Sequence, residues 1–237
     1  MGDLAALIKA NGQPHFGVFE RPVGDINYRD YDLRNAMDKP RGKLARHFAF
    51  NQFQFLSLCC DELIIGVAIV DLKWVSNAFV YCYAPDSGEY DEFSFVQPLG
   101  LKTAIHTQPN NGEAYFCSGK NSVKIVAGPG QRHLTVSLAS GLQVDAIIDE
   151  EQGYQPLSIC TRAGYAGWVY TQKTTARPVS GSVRWQGRDY DLAAMSALAG
   201  VDWSAGYMRR ETFWNWGSLS AHLSDGRRIG LNLVAGV

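Results

Sequence analysis

The chain has 237 residues, 46% hydrophobic, 19% charged and 12% aromatic, with a formal net charge of −1. This is the balance of a soluble globular protein, long enough to bury the core of one large β-domain or two small ones. It offers no global field for nucleic acid or an anionic membrane, and no window reaches the roughly 18 uncharged apolar residues of a spanning helix.

The N-terminal segment, residues 1–23, opens with "MGDLAALIKANGQPHFG". Asp3 precedes a short apolar run where a signal peptide carries basic residues, and Ala6 stands where a myristoylation site needs Ser or Thr. Residues 2–10 are expected to form a short helix. Beyond residue 24, period-2 patterning dominates. "DELIIGVAIVDL" is apolar on both faces and predicts a covered central strand. In "NAFVYCYAP", Phe79, Tyr81 and Tyr83 form an aromatic stripe opposite Val80 and Cys82. "NSVKIVAGPG", "RHLTVSLAS" and "LQVDAIID" alternate likewise, and Pro-, Asn- and Gly-rich turn clusters separate the runs. The small polar stretch "TTARPVSG" at 174–181 is the best boundary candidate, dividing a first β-domain at 24–173 from the start of a second at 174–237. Residues 191–200 carry a second short helical pattern. The cysteines, at 59, 60, 82, 117 and 160, are odd in number and scattered. That argues against a disulfide framework and for a reducing, cytoplasmic compartment.

The pentapeptide "RDYDL" occurs twice, at 29–33 and 188–192. The first copy is followed by "HFAFNQFQFLSL" and "DELIIGVAIVDL", the second by "RETFWNWGSLSAHL" and "DGRRIGLNLVAG". Ile65-Gly66-Val67 and Ile229-Gly230-Leu231 sit alike in the two series. A matched succession of this kind implies tandem duplication. The second copy then stops after two or three strands, which leaves unpaired C-terminal strands able to support self-association.

The segment richest in chemistry is "RRETFWNWGS". Alternation places Arg210, Thr212, Trp214 and Trp216 on one face, where aromatic and polar groups together suit an apolar ligand. The same Trp pair would equally fill a core. Asp202 and Glu211 are the candidate catalytic acid and base, and His222 and Asn232 are further candidate lining residues. Structural roles for each stay open: a turn cap for Asp202, an arginine pair for Glu211, surface packing for His222. No Cys-x-x-Cys, His-Glu-x-x-His or phosphate-binding glycine loop is present, so neither a metal nor a cofactor is expected.

At "DWSAGYMRRETFWNWGSLSAHLSDGRRIGLNL" the chain resembles the bacterial proteins of domain-of-unknown-function family 2804, and "FGVFERPVGDINYRDYDLR" and "RHFAFNQFQFLSL" fit the same family. Its members are usually longer, so the resemblance implies a C-terminally truncated chain. The family is distantly similar to AttH-like proteins and carotenoid hydratases, which pair two lipocalin-like β-barrels. In those hydratases an Asp-His precedes the Trp-rich strand; here Asp202-Trp203 stands there without the histidine. The expectation is an all-β, antiparallel protein of tandem lipocalin-like barrels or sandwiches, the second one incomplete. It would bind a hydrophobic small molecule in a barrel lumen lined by Tyr, Phe and Trp. Two alternatives stand beside this: a lyase, cyclase or isomerase on an apolar substrate, and a carbohydrate-binding sandwich with exposed Trp214 and Trp216.

Overall fold

The structure is a computed structural model in which residues 5–151, 155–209, 211 and 215–235 are described. After the short strand β1 (Gly17–Phe19) and the helix α1 (Lys43–Ala49), the chain forms a meander. It runs through β2 (Asn51–Cys59), β3 (Ile64–Asp71), β4 (Val75–Ala84) and β5 (Glu89–Pro98). A second meander follows, β6 (Thr103–Ile105), β7 (Gly112–Ser118), β8 (Asn121–Gly128), β9 (Gln131–Ser137) and β10 (Gln143–Asp149). Then come β11 (Leu157–Ala163), the long β12 (Gly167–Trp185), β13 (Arg188–Asp191) and β14 (Leu198–Gly206). Strands β15 (Asn215–His222) and β16 (Arg228–Ala235) form a hairpin that pairs only with itself among the described residues.

All named strand pairs are antiparallel. The main sheet has the order β5-β4-β3-β2-β14-β12-β10-β9-β8-β7-β6 and curls into a nearly closed barrel. Side chains, instead of a ladder, bridge the gap between its two ends. Gln97 Nε2 of β5 donates to the Cys117 carbonyl of β7 (2.8 Å), and Gln52 Nε2 of β2 donates to the Ile105 carbonyl of β6 (2.9 Å). The hydroxyls of Ser76 and Thr103 lie 2.8 Å apart in the same seam.

The alternation read from sequence sets the inside. Val123 and Ile125 of β8, Leu134 and Val136 of β9, and Val144 and Ala146 of β10 are all buried. On β4 the inward residues are Ala78, Val80 and Cys82, while Phe79, Tyr81 and Tyr83 are half-buried on the outer face. The aromatic stripe therefore does not line the lumen. On this strand the smaller side chains of the alternating pairs are the ones that point in. Large residues fill the remaining space: Trp203, Trp185 and Phe116 are at most 2% exposed. One end is plugged by rings, with Tyr28 stacked on Phe50 at 3.7 Å and Trp168 edge-on to Tyr207 at 5.7 Å. β3 is buried along nearly its whole length, as its doubly apolar sequence requires, with the Tyr81 ring lying directly over Gly66.

Several expectations need correcting. Residues 5–10 are bridge and turn, not helix: Ala6 pairs with Asp25, Ile8 with Pro14, and the Leu7 N–H donates to the Asp25 carbonyl. Residues 191–200 pass from the end of β13 through a turn into β14. Asp191 Oδ1 accepts from the amides of Ala193 and Ala194 at 3.0 Å each, and Ser196 takes a φ of 51°, which ends any helix there. The two "RDYDL" copies differ in conformation. The first is a 3-10 turn followed by an extended residue, and Tyr31 packs into the ring plug; the second is strand β13. What does match is the pair of hairpins that follow. In β2–β3, Ser57 stands opposite Gly66; in β15–β16, Ser220 stands opposite Gly230. The stretch 174–181 lies inside β12, and β14 is hydrogen-bonded into the barrel between β2 and β12. No helix among the described residues is long and apolar enough to cross a membrane.

Two measurements check this packing. Trp203→Ala should cost about 3–5 kcal/mol in urea unfolding, while Leu233→Ala, on the exposed hairpin, should stay within about 0.5 kcal/mol. The Cys82 and Cys160 thiols are pushed up to about 12 by burial. Both should therefore resist a thiol reagent in the native protein at about pH 8 and react on unfolding.

Candidate functional site

The site begins with an irregularity in β12. Thr174 pairs with Val201, but the next aligned pair is Arg177 with Ala199, so β12 carries one extra residue. Ala176 absorbs it with a left-handed φ of 54°. The bulge turns the Ala176 N–H out of the ladder, and it donates to Ser220 Oγ of β15 at 2.9 Å. On the neighbouring strand, a Cβ at Gly230 would lie 2.0 Å from Thr175 Oγ1, so only glycine lets β16 come this close. The hairpin is thus seated on the bulge. Between them lies a cleft of about 440 Å³, lined by Gln155, Leu157, Lys173, Arg177, Arg228 and Asn232 among others.

Parity along the strands selects the side chains that reach this face. Tyr170 and Gln172 point into the barrel, so Thr171 and Lys173 point out; Val201 and Trp203 point in, so Asp202 and Ser204 point out. The register sets Lys173 opposite Asp202 and Thr171 opposite Ser204. Lys173 Nζ and Asp202 Oδ2 form an ion pair whose side chains are only 7% and 5% exposed. Asp202 Oδ1 lies 3.0 Å from Ser204 Oγ and 3.3 Å from Thr171 Oγ1. Both oxygens of the carboxylate are therefore engaged, as burial demands.

Trp216 covers this pair. Its ring centroid is 5.1 Å from Lys173 Nζ, a cation–π distance, and it packs edge-on to Phe55 at 5.4 Å. Phe55 continues to Phe53 at 6.5 Å and Phe79 at 6.4 Å, so an aromatic strip runs across the outer face of β2 and β4 from Trp216. The Trp216 indole donates to Asn232 Oδ1 at 3.1 Å. An indole N–H can only donate, which fixes the Asn232 amide with its oxygen toward Trp216 and leaves Nδ2 as a donor on the cleft side.

Of the residues selected from sequence, Asp202, Trp216 and Asn232 come together here. His222 does not: it is exposed, and its Nε2 lies 3.1 Å from the Ser196 carbonyl at the far end of the hairpin. Glu211 is exposed, and no hydrogen bond or ion pair joins it to Asp202 among the described residues. Arg210 and Trp214 lie outside the described residues. Trp216 is half-buried and packs against the barrel through Lys173 and Phe55. Sequence reasoning missed Lys173 and Arg228. Lys173 immediately precedes the stretch read as a boundary; the available signal was its parity with Thr171, which only a strand assignment would have revealed.

The barrel interior contrasts with the cleft. Its void at Gln54, Arg132 and Trp203 measures about 10 Å³, space for at most one water. Close by, the buried Arg132 and Glu150 form an ion pair at 2.9 Å that closes this end of the barrel.

The family model for Domain of unknown function (DUF2804) matches residues 3–237. No curated protein sequence matches the chain. Among solved structures, kievitone hydratase from Nectria haematococca is similar at 10% identity and a TM-score of 0.52, over 93% of this chain and 70% of that one. CghA is similar at 11% identity and a TM-score of 0.51, over 99% of this chain and 66% of that one. A protein from Nitrosomonas europaea assigned as AttH aligns at 14% identity and a TM-score of 0.49; this chain covers 61% of its length, under two thirds. The likenesses to kievitone hydratase and CghA show a lipocalin-like fold.

The buried pair makes a direct energetic prediction. Lys173→Met should destabilise by about 3–5 kcal/mol, because it leaves the Asp202 carboxylate buried without its partner. The double variant Lys173→Met/Asp202→Leu should recover most of that loss in a denaturant double-mutant cycle.

Proposed function

The chain belongs to the DUF2804 family, and from that premise we propose that it binds an apolar small molecule in the cleft between β12 and the β15–β16 hairpin, not in the barrel lumen. The observation that carries this reading is the contrast in space. The cleft, at about 440 Å³, falls within the range of small-molecule sites, while the lumen is packed with side chains. The aromatic strip Trp216–Phe55–Phe53, continued by Phe79, supplies apolar surface beside it.

A second reading, a lyase or isomerase, is favoured by one feature: Lys173 lines the cleft with Asp202 behind it. In that reading the ammonium of Lys173 is the proton donor and Asp202 positions it, since both carboxylate oxygens already accept hydrogen bonds. A hydratase shares the fold at 10% identity, and fold alone does not carry its chemistry to this chain.

The uncharged dye Nile red tests the binding reading. About one molecule should bind per chain with a rise in fluorescence, and Leu157→Trp, which fills the cleft, should weaken binding by about tenfold or more. Undiminished affinity in that variant would place the dye elsewhere and defeat the reading.

A further inference from the structure

We infer that the molecule taken by this cleft carries a single negative charge, a carboxylate on an apolar body; this rests on the binding reading above and adds the class of its ligand. Every charged side chain lining the cleft is a cation: Lys173, Arg177 and Arg228. Two of these are answered by acids lying behind them. Lys173 pairs with Asp202, while Arg177 donates through Nε to the Asp149 carbonyl at 2.7 Å and sits 3.8 Å from the Asp149 carboxylate. Among the described residues no carboxylate pairs with Arg228. One positive charge is therefore left over at the cleft wall.

The polar groups point the same way. Asn232 turns its oxygen to Trp216, which leaves the two N–H groups of Nδ2 free to donate. Lys173 and Arg228 can only donate. With Gln155, Thr174 and Thr175 able to donate or accept beside these donors, a wall with one surplus cation fits a group that accepts hydrogen bonds and carries one negative charge. A carboxylate meets both conditions and matches the two-pronged guanidinium of Arg228. A phosphate monoester would bring up to two charges against that single surplus. The apolar body then extends past Trp216, whose ring separates the charged cleft from the strip of Phe55, Phe53 and Phe79.

Calorimetric titration of the full chain with dodecanoate, dodecanol and dodecyl phosphate, each below micelle-forming concentration, reads the head-group preference. Nile red displacement in the same samples locates the site. Dodecanoate should displace the dye and bind about tenfold tighter than dodecanol. That advantage should shrink to under about threefold in Arg228→Gln, an exposed position whose variant keeps the wild-type melting curve. If dodecanoate and dodecanol displace the dye equally well, the anion assignment falls while the cleft stands. Dye binding that is lost in Leu157→Trp but that none of the three compounds displaces overturns the ligand class alone; dye binding indifferent to Leu157→Trp overturns the cleft itself. Dodecyl phosphate binding about tenfold tighter than dodecanoate overturns the single charge, and an undiminished preference in Arg228→Gln overturns the role of that arginine.

Discussion

One extra residue in β12 governs the arrangement outside the barrel. A strand whose hydrogen bonds are all used within its sheet has nothing to offer a second layer except side chains. The bulge between Thr174 and Arg177 breaks that closure and presents the Ala176 N–H to Ser220. It also brings Thr175 outward to meet β16 at Gly230. Without the bulge, the hairpin would lose the Ala176–Ser220 bond that seats its middle on the barrel, and the cleft beside it would change shape. The same segment is where β12 changes partners. Its N-terminal half pairs with β11 and β14, and its C-terminal half with β10 and β13.

The buried Lys173–Asp202 pair is not explained by stability. Removing two charges from water costs several kcal/mol each, and a pair of well-packed apolar residues commonly does as well or better. The neighbouring outward positions show what apolar packing looks like on this surface, with Phe55 and Phe79 in ring contact. An ion pair in the midst of such a face, with its carboxylate held by Thr171 and Ser204 and its ammonium under Trp216, is a device for fixing a charge in place. A charge fixed in that way, with water largely kept out, acts on a ligand more strongly than the same charge on a mobile surface lysine.

What could be read from sequence follows the range over which each signal acts. Strand alternation is local, and the inward residues of β8, β9 and β10 are those the pattern names. The family resemblance was likewise carried by contiguous motifs, and a family match over residues 3–237 accords with it. Alternation identifies two faces without saying which is inside, and on β4 it is the barrel that turns Ala78, Val80 and Cys82 inward and leaves the aromatic stripe outside. Lys173 went unnoticed because "TTARPVSG" combines a proline, a glycine and small polar residues in the manner of a linker. In the fold Ala176 is the bulge residue, Pro178 sits in ladder register with Leu198, and Gly181 lies with its φ of 116° against the Asp145 carbonyl. Composition records that such residues are present; only the pairing distinguishes a bulged strand from a loop. The approach of Arg228 to Lys173 depends on docking of the hairpin, which no short-range pattern encodes.

The polarity of that hairpin argues further that its inner face is a site. A strand pair that merely covered the barrel would turn its leucines down onto Phe55 and its polar residues up to water. This one does the reverse. Trp216, Ser218, Ser220, His222, Arg228, Asn232 and Val234 share the face toward the barrel, while Leu219, Ile229, Leu231 and Leu233 lie on the other and are 43–61% exposed. Turning polar groups inward keeps the leucines on the opposite, outer face. It also obliges every inward group to find a partner or line a wet space. Ser220 and Asn232 have partners in Ala176 and Trp216; Arg228 and the Asn232 amide nitrogen face the cleft. The inward set therefore does two things at once: it seats the hairpin on the barrel and lines the cleft between the two layers.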